Sequence, residues 1–145
     1  MRIVLLFSVW LGLLWNIIAV CLLGGRVTGA FRPSWLLAGA LAGIVAGVFT
    51  IWSRKRREGE ESLFLVLATY YLGIVTYWAT FVVVERITMC IRHGGWTDFD
   101  LRDHLVLVWT FLFYGTLWFG IILIPLTFLS RYMLWAVYKK YGDWR

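Results

Sequence analysis

The residues with the clearest capacity for chemistry lie between positions 85 and 104. Cys90 and His93 are three residues apart, and Asp100 and His104 are four apart. Such spacings bring side chains to one face of a helical turn, and thiolate, imidazole and carboxylate groups together suit zinc. We therefore treat Cys90, His93, Asp100 and His104 as a candidate metal site. An ordinary set of surface charges around a loop explains the same residues equally well.

The two cysteines offer a second kind of chemistry. Cys21 and Cys90 form no C-x-x-C pair, so the chain lacks the close redox pair of a thiol oxidoreductase. Both lie near the ends of apolar runs that the topology described below places at the non-cytoplasmic interface. A disulfide between Cys21 and Cys90 is permitted if that side is oxidising, and two free thiols are the alternative.

The elements that position these residues are hydrophobic. Of the 145 residues, 61% are hydrophobic, whereas soluble domains have about 45 to 50% apolar residues. Four apolar runs, at residues 3–23, 35–52, 63–84 and 105–129, approach or exceed the roughly 20 residues that a membrane-spanning helix needs. The sequence predicts an all-α integral membrane protein, a single domain over residues 1–145 with four transmembrane helices. None of the four runs holds an Asp, Glu, Lys, Arg or His, which argues against a proton-coupled transporter.

Basic residues indicate the orientation. Nine of the 14 Lys and Arg residues lie before the first run, between the second and third runs, or after the fourth. The positive-inside rule then places both termini in the cytoplasm, and we expect a bacterial inner (plasma) membrane. The tail after residue 129 mixes aromatic and basic residues and predicts a C-terminal helix lying in the interface. Lipid headgroups or a partner should contact the cytoplasmic basic residues Arg54, Lys55, Arg56, Arg57, Lys139 and Lys140.

The second run carries a ridge of small residues. Glycine recurs every fourth residue at Gly39, Gly43 and Gly47, with Ala42 and Ala46 beside them. On a helix this spacing, that of a glycine zipper, lets a second helix approach closely. The partner face is expected from stripes of small or polar residues on the first and third runs, which contain Gly12, Asn16 and Gly73. Whether that partner belongs to the same chain or to a neighbouring subunit stays open at this point.

The chain has packing faces and no evident catalytic set, which favours a structural or accessory subunit that assembles a membrane complex. The alternative is a homo-oligomeric channel or membrane-permeabilising effector in which hydroxyl-bearing stripes face a pore. An enzyme built on residues 90–104 is a third reading. Expected partners are membrane lipids and other membrane subunits or copies of itself. Neither nucleic acid nor a cofactor beyond bound lipid is expected, and no motif marks a known family.

Overall fold

The computed structural model describes residues 2–22, 32–58, 60–93 and 101–141. The regular elements among them are four α-helices: α1 (Arg2–Leu22), α2 (Pro33–Arg56), α3 (Leu63–His93) and α4 (Leu101–Tyr141). The predicted all-α class is therefore confirmed for this part of the chain.

Within the described residues, three stretches of helix are long and apolar enough to cross a membrane. They are Pro33–Arg56, Leu63–Arg92 and Gly120–Tyr141. The first predicted span corresponds to α1, whose described apolar stretch, Arg2–Ile18, is shorter than these three. The protein thus has the helices of a membrane protein, and three of them meet the length needed for a span.

Local sequence explains where α2 ends and α3 begins. Pro33 opens α2 at a position where its missing N–H costs nothing, and Arg32 before it is extended. After α2, Glu58 adopts a positive φ of 51°, the left-handed conformation that commonly ends a helix. The Ser62 hydroxyl then accepts a hydrogen bond from the Leu65 N–H at 3.4 Å, which caps α3. This short connection holds Glu61 beside the end of α2.

Helices α3 and α4 run further than the sequence predicts. The third span was expected to end at residue 84, but α3 continues through Glu85 and Arg86 to His93. The fourth was expected to end at 129 and to be followed by a separate interfacial helix. Instead, α4 is one helix through Tyr141. Residues 130–141 contain neither Gly nor Pro, so nothing in their backbone chemistry interrupts the helix.

The helices form an up-and-down bundle centred on α2. Helix α2 packs against α1 and α3, and α4 contacts the other three helices, whereas the described parts of α1 and α3 do not pack against each other. Val4 of α1, Ile51 of α2 and Leu134 of α4 share one hydrophobic core. The start of α1 and the ends of α2 and α4 therefore lie at one end of the bundle, which we call the basic end.

Candidate ligand cavity and the Arg131 cluster

Helices α1 and α2 meet backbone to backbone along a line that we call the glycine seam, formed by Ser8, Gly12, Gly39, Gly43 and Gly47. A Cβ atom added at Gly43 would lie 2.8 Å from the Gly12 Cα, and one added at Gly39 would lie 2.9 Å from the Gly12 carbonyl oxygen. Gly47 has no room either, because its Cβ would lie 2.8 Å from the Ser8 Cβ. The face opposite the ridge is thus α1 of the same chain.

The other face of α2 is less crowded. Among the described residues, a Cβ atom added at Gly73 of α3 would meet only the Ala46 Cβ within 4 Å, at 4.0 Å. Ala42 is buried.

Asn16 of α1, also buried, accepts a hydrogen bond from the Tyr77 hydroxyl of α3 at 2.5 Å. This bond links α1 to α3 although the two helices do not pack against each other, because a buried amide in an apolar environment needs a partner.

A buried ionic network, which we call the Arg131 cluster, joins α2, α3 and α4 near the basic end. Arg131 of α4 is only 1% exposed, and its guanidinium pairs with the Glu61 carboxylate at 2.7 Å. Arg54, at the end of α2, binds the other oxygen of the same carboxylate through its Nε at 2.6 Å. One acidic group therefore holds two arginines, and the cluster carries one excess positive charge.

Hydroxyl groups complete the Arg131 cluster. The Arg131 Nη1 donates to the hydroxyls of Thr69 and Thr50, and its Nη2 donates to the Ser53 hydroxyl at 3.1 Å. The Nε donates to Glu61 at 2.9 Å. All three guanidinium nitrogens are thus bonded within the bundle, which is the condition under which a buried charge is tolerated.

The structure corrects the prediction for Arg54. This residue was expected to contact lipid headgroups or a partner, but it is 5% exposed and bound to Glu61. The turn after α2 places the Glu61 carboxylate next to Arg54. The other five predicted contact residues, including Arg57, are exposed at the basic end. Four of them lie over aromatic rings: Lys55 over Tyr138, Arg56 over Trp52, Lys139 over Trp135 and Lys140 over Tyr141.

A cavity of about 480 Å³ lies within the bundle, lined by residues of all four helices. Gly73 and Ala46 form part of one wall, and Leu123 and Thr127 of α4 form part of another. Arg131 contributes to the lining as well. The volume falls in the range of about 300 to 1,000 Å³ that is typical of sites for small molecules.

Most of the serine and threonine side chains around this cavity are bonded to their own helices. Ser8, Thr50, Thr69 and Thr127 each donate to the carbonyl four residues earlier, at 2.7 to 2.9 Å. Their protons point along the helix and not into the cavity, and the surface that remains is almost wholly apolar. The arrangement suits a hydrophobic molecule better than a continuous column of water molecules.

The predicted metal site lies mostly outside the described residues. Asp100 and the side chains of His93 and His104 are not described, and Cys90 lies on α3. Across residues 2–22, 32–58, 60–93 and 101–141, no group of three or more His, Cys, Asp or Glu side chains comes together. The metal site therefore stays a prediction.

Both cysteines are free thiols. Cys21 is exposed on α1 and Cys90 is half-buried on α3. The two thiols form no disulfide with each other in this structure.

The sequence analysis did not predict the roles of Arg131 and Glu61 in the Arg131 cluster or of Tyr70 in the cavity wall. Arg131 was counted with the cytoplasmic tail and Glu61 with the hairpin between two spans. One signal was available for Arg131: the six residues after it, Tyr132 to Val137, are all apolar or aromatic, which is typical of a helix that continues past a single charge. Tyr70 gave no signal, since it is one aromatic residue within an apolar run.

No protein-family model, curated protein or solved structure matches this chain. What the bundle does must therefore be argued from its own geometry.

Proposed function

We propose that the chain crosses the inner membrane of a bacterium four times, with both termini in the cytoplasm. The 21 residues of α1 extend about 30 Å, the thickness of a hydrocarbon core. The basic end gathers Arg2 with the basic ends of α2 and α4. This concentration of positive charge at one end supports a cytoplasmic position for it under the positive-inside rule.

Within that membrane, the protein acts as a non-enzymatic accessory protein that holds a lipid-like molecule in its cavity. The observation that carries this proposal is the cavity of about 480 Å³, whose surface is almost wholly apolar and whose serine and threonine hydroxyls mostly donate to their own helices. Because water gains few hydrogen bonds there and the surrounding solvent is lipid, an apolar chain is the occupant that such a wall favours.

Filling the cavity tests this proposal. The Gly73→Leu substitution adds a side chain to the cavity wall at a position where, among the described residues, an added Cβ would meet only the Ala46 Cβ, so the variant should fold and lose its ligand. Gly120→Leu is the matched control, because Gly120 of α4 is not among the cavity-lining residues and has only ordinary contacts, at 3.6 Å.

Native mass spectrometry of protein purified in mild detergent should show a bound lipid on the natural protein and on Gly120→Leu, but not on Gly73→Leu. A natural protein without bound lipid, or a Gly73→Leu protein that keeps it, would contradict the proposal.

Assembly with other membrane subunits or with copies of itself is a second proposal, and a surface other than the glycine ridge supports it. The glycine ridge already packs against α1, whereas the first half of α4 presents exposed residues four apart: Trp109, Phe113, Leu117 and Ile121. Ile121 is 87% exposed. The same mass spectra report the mass of the assembly, and a lone monomer would count against this role.

A further inference from the structure

One face of α4 carries apolar side chains that lead to a cation at the basic end. This face, which we call the outer stripe, is formed by Phe128, Tyr132, Trp135 and Lys139, whose three- and four-residue spacings place them on one side of the helix. Phe128 and Tyr132 are 49% and 58% exposed, and Lys139 is exposed beyond them. None of the four is among the residues that line the cavity. The outer stripe is therefore a surface on the outside of the bundle.

Aromatic rings hold the cations at the end of the outer stripe. The Lys139 ammonium nitrogen lies 5.7 Å from the centroid of the Trp135 ring, and the Arg54 guanidinium carbon of α2 lies 5.8 Å from the same centroid. The Tyr138 ring stacks on the Trp135 ring with centroids 5.3 Å apart, and the Lys55 ammonium lies 5.0 Å from the Tyr138 centroid. Contact with a ring limits the freedom that a lysine loses when it binds an anion, and it leaves part of the ammonium able to donate.

The positive charge at this end is only partly compensated. Among the described residues, the basic end holds eight cationic side chains and three carboxylates: Arg2, Arg54, Lys55, Arg56, Arg57, Arg131, Lys139 and Lys140 against Glu58, Glu60 and Glu61. Glu61 binds Arg54 and Arg131, and no carboxylate in the described part of the chain pairs with Lys139. The helix dipoles largely cancel, because α1 and α3 begin at this end whereas α2 and α4 end there. An excess of five positive charges is thus left for anions outside the bundle.

We propose that the outer stripe binds an anionic phospholipid, whose phosphate lies at Lys139 and whose acyl chains lie along Phe128 and Tyr132. A phosphate brings acceptor oxygens and negative charge to a group that can only donate. Aromatic and basic side chains together are typical of the level at which headgroups lie, and the exposed apolar residues before them suit acyl chains and not a soluble anion. The inference goes beyond the proposed function, because this lipid lies outside the cavity.

Titration with two lipids of identical acyl chains tests the inference. Delipidated full-length protein in mild detergent receives either dioleoylphosphatidylglycerol, which is anionic, or dioleoylphosphatidylcholine, which is zwitterionic, and native mass spectrometry counts the bound molecules. Every protein in the series also carries Gly73→Leu, which adds a side chain to the cavity wall. The result therefore does not depend on whether the cavity holds a lipid. A parallel series with the natural Gly73 checks that the outer surface is unchanged.

Phosphatidylglycerol should bind more tightly than phosphatidylcholine, and Lys139→Gln should weaken its binding about fivefold, the effect of one basic residue near an anionic surface. Lys139→Arg should keep the affinity, because it retains the charge. Arg2→Gln is the matched control, since it removes the same charge from the same end of the bundle but from α1. Its effect should be smaller, because salt screens a diffuse surface charge more than a charge in contact with the phosphate.

Two results would overturn the inference. Equal binding of the two lipids, or equal losses in Lys139→Gln and Arg2→Gln, would leave only a diffuse attraction to the basic end. Glycerol 3-phosphate, which carries the phosphate without acyl chains, tests the second part. An excess of it should fail to displace phosphatidylglycerol, and displacement would assign the cations to a soluble anion.

Discussion

Glycine is tightly packed at the glycine seam, whereas Gly73 in the cavity wall has free space beside it. At the seam, Gly12 and Gly43 bring two backbones together so closely that a single added carbon has no room. At the cavity, Gly73 leaves space around it. Helices in lipid gain little from burying apolar surface, so close packing is what holds them together. The difference shows that the contact between α1 and α2 is tightly packed, whereas α3 leaves space at Gly73, on its side of the cavity that all four helices line.

The Arg131 cluster connects these two regions, and breaking it should have the largest effect. Glu61→Gln leaves two buried arginines without a counter-charge and should destabilise the protein by about 3 to 5 kcal/mol. Arg131→Met should cost less, because Glu61 then still pairs with Arg54. The measurement is the midpoint of unfolding in a series of increasing SDS concentrations.

Glu60→Gln is the control for this experiment. Glu60 is exposed beside Glu61, so its substitution should leave the midpoint unchanged. If Arg131→Met proved more damaging than Glu61→Gln, the shared carboxylate would not be the centre of the cluster.

Identical substitutions at two glycines compare the seam with the cavity directly. Gly43→Ala forces a Cβ to within 2.8 Å of the Gly12 Cα and should cost about 1 to 3 kcal/mol or more. Gly73→Ala meets no such contact and should be neutral or gain up to about 1 kcal/mol, because alanine favours helix over glycine. The same SDS series measures both variants. Equal losses at the two positions would mean that the seam is no tighter than the cavity wall.

Hydropathy predicted the helices well and their ends poorly. Residues 63–84 and 105–129 were bounded at their first charged or tail-like residues, yet α3 continues to His93 and α4 to Tyr141. The reason is physical: hydropathy reports where the lipid environment ends, whereas a helix continues as long as its backbone bonds can form. The period-four glycines of α2 predicted a close helix contact but could not identify its partner, because periodicity describes one face and not what lies against it.

Most of the candidate site could not be predicted from the sequence. Loop counting treats charges as solvated, so Glu61 and Arg131 were assigned to the surface, although they lie 70 positions apart and meet only in the folded bundle. The cavity depends on how all four helices are spaced, which cannot be predicted from any single apolar run. Thr69 lies within the third apolar run, and only the structure shows that its hydroxyl accepts a hydrogen bond from Arg131.

The smallest effect should come from the hydrogen bond that links α1 to α3. Tyr77→Phe removes the donor to Asn16, but the ring stays packed against Trp35, 6.0 Å away between centroids, and Asn16 has further interactions. The loss should be about 0.6 kcal/mol, the average for such bonds in a membrane. Because Tyr77 also lines the cavity, the variant should release bound lipid faster than this small loss of stability implies. Unfolding in SDS and lipid loss in native mass spectrometry, measured on the same preparation, separate the two effects; release in proportion to the lost stability would show that the bond supports the fold and has no part in retaining the ligand.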